Sequence, residues 1–161
     1  MGFFQGSDTY SIDSKGRVSV PYWMRKEMTP EAKDTFILTK GFKKCIWAYP
    51  LDEWSKFQKI LMNKNQFDED NDYIISTMLM YAFEVKLDSQ QRIMVPKRLW
   101  ELAEIDIEVS NKAFILGKID HIELWNPNIY FEMINRRKEP YEVIAARVMS
   151  QKVMPQIDGA N

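Results

Sequence analysis

A single cysteine, Cys45, and a single histidine, His121, leave this chain of 161 residues without an internal disulfide and without the donors of an ordinary zinc site. Long apolar runs are missing as well. None approaches the ~20 residues that span a bilayer, and Met1-Gly2-Phe3-Phe4-Gln5-Gly6 lacks the basic start and apolar stretch of a secretory signal. The expectation is a soluble, cytoplasmic protein with no membrane partner. An excess of charge is absent too: 22 Lys and Arg stand against 23 Asp and Glu, for a net charge of −1, which excludes a surface uniformly coated in base. Neither a nucleophile elbow nor a phosphate-cradling glycine loop occurs. Accordingly no catalytic residue, metal, cofactor or small-molecule substrate is expected.

What is present is a foldable composition, 45% hydrophobic and 13% aromatic, enough for one substantial core or two small ones sharing an interface. Charge is segregated along the chain. From Lys15 to Lys44, eight bases (Lys15, Arg17, Arg25, Lys26, Lys33, Lys40, Lys43, Lys44) face three acids, Glu27, Glu31 and Asp34. Asp68, Glu69, Asp70 and Asp72 form an acidic stretch that reads as a solvated linker or helix start.

The organising feature is a repeat. Asp13-Ser14-Lys15-Gly16-Arg17-Val18-Ser19-Val20-Pro21 recurs seventy-five positions later as Asp88-Ser89-Gln90-Gln91-Arg92-Ile93-Met94-Val95-Pro96. Each copy reads as an acidic residue, a polar turn, an arginine, a short β-prone stretch and a closing proline. A tryptophan-bearing helical turn follows each, over 22–28 and 97–103. The likeness continues, with 36–38 answering 114–116 and 45–50 answering 121–127. Around these lie predicted strands at 8–12, 17–20, 35–39, 45–49, 83–87, 108–110, 113–116 and 121–125, and predicted helices at 50–64, 71–80, 126–137 and 141–151. In the first long helix Leu51, Trp54, Phe57, Ile60 and Leu61 fall near one face. The fold class is α+β with a mainly β core, and the tail beyond Val153 is expected to be mobile.

The run Ile12 to Pro21, the stretches Leu38-Thr39-Lys40-Gly41 and Cys45-Ile46-Trp47-Ala48-Tyr49-Pro50-Leu51-Asp52-Glu53-Trp54, and the second motif Asp88 to Pro96 together resemble the MraZ family of the wider AbrB-like group of bacterial regulators. The resemblance covers about residues 1–135. It implies two SpoVT-AbrB-type swapped-hairpin repeats, at 7–54 and 82–128, forming a pseudo-symmetric double-split β-barrel with peripheral helices. A helical connection would occupy 55–81, and a C-terminal extension 129–161, outside the resemblance beyond about Glu139. It further implies ring-shaped homo-oligomers, associated with the nucleoid, that bind repeated elements in double-stranded promoter DNA and regulate the division and cell-wall gene cluster, including their own promoter. Two departures are visible: Gln90-Gln91 precede the second arginine where the family often has glycine, and Lys40 stands where arginine is common.

Two roles for the motif are open on the residues themselves. An arginine at the start of a strand beside a tight turn can present its planar fork to phosphate or to a guanine edge. Alternatively, Asp13 with Arg17, and Asp88 with Arg92, form ion pairs that pin each turn to its strand. The basic first copy favours DNA binding by Lys15, Arg17, Arg25 and Lys26, whereas the second, whose turn carries no base, favours structure or oligomer contact. Lys40-Gly41-Phe42-Lys43-Lys44 reads equally as a phosphate contact and as a solvated hairpin tip. A ring-forming structural or partner-binding protein without DNA recognition is the alternative. Asp13 and Asp88 as an acid and base pair would lack every accompanying catalytic group, while His121 and Cys45 read as packed residues.

Overall fold

Proline sets several boundaries. Pro21, Pro50 and Pro96 have φ of −55°, −54° and −57° and stand immediately before helices, where a fixed φ and a missing N–H are tolerated. In the computed structural model, which describes residues 2–151, the elements are β1 (Ser7–Ser11), β2 (Arg17–Ser19), α1 (Tyr22–Arg25), β3 (Thr35–Lys40), β4 (Cys45–Pro50), α2 (Leu51–Met62), α3 (Glu69–Met80), β5 (Phe83–Lys86), β6 (Arg92–Met94), α4 (Lys97–Leu102), β7 (Lys112–Lys118), β8 (His121–Trp125), α5 (Pro127–Asn135) and α6 (Tyr141–Met149). The tail beyond Val153, expected to be mobile, lies outside the described residues. The chain divides into two compact units, Met1–Tyr130 and Phe131–Asn161.

In the first unit every strand pairing is antiparallel. Six strands run in the order β1-β7-β8-β4-β3-β5, and β2 pairs with β6 in a separate ribbon. The order records an exchange. The β3–β4 hairpin of the first half takes its outer strand, β5, from the second half, and the β7–β8 hairpin takes β1 from the first. Positions that correspond between the repeats meet at the centre of each sheet, Val18 opposite Ile93 and Trp47 opposite Glu123. A pseudo-two-fold axis therefore passes through both. The expected barrel is not closed by these pairings: among the described residues the six-stranded sheet is open, with β1 and β5 as its edges.

The ribbon packs on one face of that sheet. Val18, Val20, Ile93 and Val95 join Phe36, Leu38, Ile46, Ala48, Ile115, Ile122 and Leu124 in one buried cluster, sealed by Met24, Leu99 and Trp100 from α1 and α4. Burying each larger member contributes about 1.5–3 kcal/mol. The opposite face of β4 and β8 is also covered, which is why every residue of both strands is buried. There Trp54 and Phe57 of α2 pack on Tyr49, and Tyr49 stacks on His121 with ring centroids 4.8 Å apart. Cys45 is a buried, desolvated thiol pushed up to about 12.

Glu123 is the charged member of this second face. Its Oε2 accepts the Trp47 indole N–H at 2.9 Å, its Oε1 accepts that of Trp125 at 2.9 Å, and Lys118 Nζ lies 3.8 Å away. The His121 Nε2 atom stands 3.6 Å off, while Nδ1 is 2.7 Å from the Asp120 carboxylate. Burial pushes the Glu123 carboxyl up, but these neighbours together outweigh it and hold the group down at about 2.

Three local expectations are corrected. Residues 108–110 form a turn rather than a strand, because Asp106 accepts the Glu108 N–H with its carboxylate and those of Val109 and Ser110 with its carbonyl. The helix after Pro21 closes at Arg25. Ile60 is 55% exposed, since the buried row of α2 runs through Trp54 and Leu61. The acidic stretch does begin a helix, with Asp68 accepting the Asn71 N–H at 3.0 Å as the cap of α3.

In the second unit Arg147 donates two bonds to the Glu139 carboxylate, at 3.0 and 2.9 Å, tying α6 to the residues before it.

Acid unfolding is expected to report Glu123. A carboxyl depressed on folding contributes stability that is present above the unfolded value, about 4.3, and lost as pH falls through the folded one. Denaturation midpoints should therefore decline from about pH 4 towards pH 2, and Glu123→Gln should lower stability at pH 7 while flattening that decline; an unchanged acid limb would contradict the assignment.

Candidate nucleic-acid interface

The two repeated turns are built alike. Asp13 Oδ1 accepts the backbone N–H groups of Lys15 and Arg17, both at 2.9 Å, and its Oδ2 accepts Arg17 Nε at 2.6 Å. Asp88 Oδ1 accepts the N–H groups of Gln90 and Arg92 at 2.8 and 3.0 Å, and its Oδ2 accepts Arg92 Nε at 3.0 Å. One carboxylate thus closes the turn and holds the arginine that follows it, so aspartate and arginine must stand four apart. Backbone N–H groups, first those of the arginines themselves, draw both carboxyls below the ordinary aspartate value. Each pair is about one-third to one-quarter exposed, with side-chain exposures of 27% for Arg17 and 24% for Arg92.

They differ at the residue before the arginine. Gly16 has φ +83°, where glycine is at ease, while Gln91 holds the same left-handed region at φ +63°. A β-carbon on Gly16 would sit 2.8 Å from the Val95 carbonyl oxygen and 3.2 Å from Trp100 Nε1. Glycine is thus required in the first turn by conformation and by space, and the second turn meets only the conformational demand.

The four basic residues singled out from sequence occupy different settings. Lys15 is exposed at the turn tip, and Arg17 begins β2. Beyond the Nε bond, the terminal nitrogens of Arg17 have no partner among the described residues. Arg25 is half-buried; its Nε donates to the Val20 carbonyl at 2.9 Å and its guanidinium lies 5.5 Å from the Tyr22 ring, which ties α1 to the strand that Arg17 opens. Lys26 is exposed just beyond α1. Turn, strand and helix form one continuous segment, but no side-chain contact joins Lys26 to the others.

The second repeat touches the first turn at points that the motif did not announce. Arg92 Nη1 lies 3.6 Å from Asp13 Oδ2, and Trp100 Nε1 donates to the Gly16 carbonyl at 3.2 Å. Trp100 is also on the wall of a cleft of about 610 Å³ beside Ser14 and Lys15, whose rim carries Glu101, Glu104 and Glu108. Lys97 lines the same cleft, so its wall carries charge of both signs. In the Lys40 to Lys44 hairpin, Lys44 is paired with Glu104 at 2.8 Å and Lys40 Nζ lies 3.5 and 3.4 Å from the carbonyls of Gly41 and Lys43. Two of its three lysines are thus engaged within the chain. Asp13 and Asp88 are both bonded to arginine, and no metal-holding cluster occurs among the described residues.

Fold and turns define the class: an α+β protein with a mainly β core, made from two copies of an Asp-x-x-x-Arg turn unit that exchange strands. The model of the family described as "MraZ protein, putative antitoxin-like" matches residues 3–74 and 78–152, and the chain belongs to the MraZ family. The match reaches well past the expected limit near residue 135 and takes in α6. Similar proteins include the "Transcriptional regulator MraZ" of Halothermothrix orenii, 34% identical over 143 residues, covering 89% of this chain and 94% of the relative. That of Alkaliphilus metalliredigens is 33% identical over 145 residues, covering 90% and 96%. That of Cytophaga hutchinsonii is 25% identical over 150 residues, covering 93% and 97%.

Gly16→Ala should cost about 1–3 kcal/mol in chemical denaturation, whereas Gln91→Gly should change stability by less than about 1 kcal/mol, strain relief being offset by the freer unfolded chain. Equal losses would contradict the stated role of Gly16.

Proposed function

We propose that this chain is a transcriptional regulator that binds double-stranded promoter DNA through the turn, strand and helix of its first repeat. Relatives carrying the name transcriptional regulator along nearly their whole length support the regulatory role. The observation that carries the DNA reading is Arg17: its Nε is fixed on Asp13 while its terminal nitrogens have no partner among the described residues. Those nitrogens are the pair that the O6 and N7 edge of guanine accepts. Lys15 and Lys26 add phosphate contacts and Arg25 braces the helix, while Asp13, Asp88 and Arg92 hold the turns. No catalytic residue is assigned.

The finer proposal is a ring-shaped homo-oligomer, nucleoid-associated, that binds repeated elements of the promoter of a division and cell-wall gene cluster including its own gene. Residues 7–54 and 82–128 are its AbrB-like repeats, 55–81 their connection and 129–161 an extension, with the two sheets forming a double-split barrel. A single module makes few phosphate contacts, so linking several raises the effective concentration of each next contact. Exposed apolar side chains suit self-association, Phe67 at 98%, Tyr73 at 69% and Met80 at 59%. The same surface would serve a ring without DNA, so the decisive property is discrimination between duplexes.

Fluorescence titration against the DNA upstream of the protein's own gene, beside a scrambled duplex, tests this. Log affinity should fall linearly with log salt, by about 0.9 per phosphate neutralised, and light scattering should report a large oligomer. Arg17→Ala should lose about ten- to a hundredfold in operator affinity, about 1–3 kcal/mol, with the oligomer intact. Arg92→Ala should instead lower stability or assembly. Equal affinity for both duplexes would leave the scaffold reading, and operator binding lost only in a folded, oligomeric Arg92→Ala would move the reading head to the second repeat.

A further inference from the structure

The pseudo-two-fold relates the repeats, but their supporting side chains do not act symmetrically. Counted from the Val-Pro pair that ends each motif, Trp100 corresponds to Arg25. Arg25 Nε bonds the Val20 carbonyl of its own repeat, whereas Trp100 Nε1 crosses the axis to the Gly16 carbonyl. That carbonyl also accepts the Val95 N–H at 3.1 Å. The peptide joining Gly16 to Arg17 is thus clamped from the second repeat by two donors, one of them on a fully buried side chain. Arg92 adds a third cross-axis contact through Asp13. In the opposite direction, Val20 N–H donates to the Gln91 carbonyl at 3.1 Å, and among the described residues no first-repeat side chain bonds a backbone group of the second turn.

We propose that Trp100 is a positioning residue for DNA recognition: its indole N–H, by fixing the Gly16–Arg17 peptide, sets the direction in which the Arg17 side chain leaves the strand. This rests on the DNA reading given above. An arginine reads a base edge only when its fork is aimed, and a bidentate contact tolerates little rotation of the strand that carries it. Phosphate contacts by Lys15 and Lys26 are far less exacting. Removing the indole N–H should therefore erode discrimination between duplexes more than total affinity.

The test replaces Trp100 by Phe and, keeping the bicyclic shape, by benzothienylalanine, in which sulfur stands for the N–H. Trp54→Phe is the comparison, because Trp54 is buried on the far face of the sheet, away from both turns. Operator and scrambled affinities, oligomer size and melting temperature are measured for each, together with the Arg17 Nε–H signal in heteronuclear NMR of the DNA-free protein. Both Trp100 variants are expected to lose about tenfold in the operator-to-scrambled ratio, with scrambled affinity and oligomer size retained and the Arg17 signal shifted. Trp54→Phe should lower the melting temperature without moving the ratio. If the benzothienylalanine protein keeps both the parent ratio and the parent Arg17 signal, the proposal is overturned. A parent with no operator preference would sink the DNA reading instead, and the Arg17 signal would still decide whether Trp100 holds the arginine.

Discussion

Neither half of this chain completes its own sheet. Each hairpin has an outer edge of unpaired backbone groups, and each takes the strand that covers it from the other half, β5 on β3 and β1 on β7. The exchange satisfies the outer backbone groups of β3 and β7 and ties the halves together in one step, leaving β1 and β5 as the edges. Everything else follows from that constraint. It brings β4 against β8, sets the β2–β6 ribbon over the sheet, and places the two Asp-x-x-x-Arg turns on either side of one axis.

Symmetry of the backbone does not impose identity of the side chains, and the differences are concentrated near the axis. Trp47 meets Glu123, an indole donor opposite a carboxylate, where two identical residues could not have formed the bond. Gly16 corresponds to Gln91 and Arg25 to Trp100. Gly16 leaves room for the close approach of the second repeat to the first turn, and Trp100 supplies the brace that reaches it. Duplication followed by specialisation of one copy would produce this pattern, with the shared core preserved by Val18, Ile93 and their neighbours.

Much of this was legible because it is local. An aspartate four residues before an arginine announces a closed turn, prolines mark where strands give way to helices, and short β-prone apolar runs locate β3, β4, β7 and β8 to within a residue or two. The exchange of β1 and β5 was not legible from the residues themselves, since pairing partners about fifty positions apart for β3 and β5, and more than a hundred for β1 and β7, leave no local trace. Residues 108–110 looked β-prone, but the Asp106 carboxylate won the backbone N–H that a strand would have used. In the sequence Trp100 is only the tryptophan of a short helical turn. Its partner, the Gly16 carbonyl, lies eighty-four positions away, and no spacing rule predicts such a bond. The left-handed Gln91 was similarly hidden, for glutamine gives no hint of positive φ.

Of the two turns, only the first is proposed to meet DNA. Hydrogen exchange of the protein, measured with and without the duplex upstream of its own gene, observes both turns in the unmodified chain at once. The account predicts slowed exchange over residues 14–17 and 22–26 on adding operator, with residues 89–92 unchanged, and a smaller effect with scrambled duplex. Protection of 89–92 with 14–17 unaltered would contradict it.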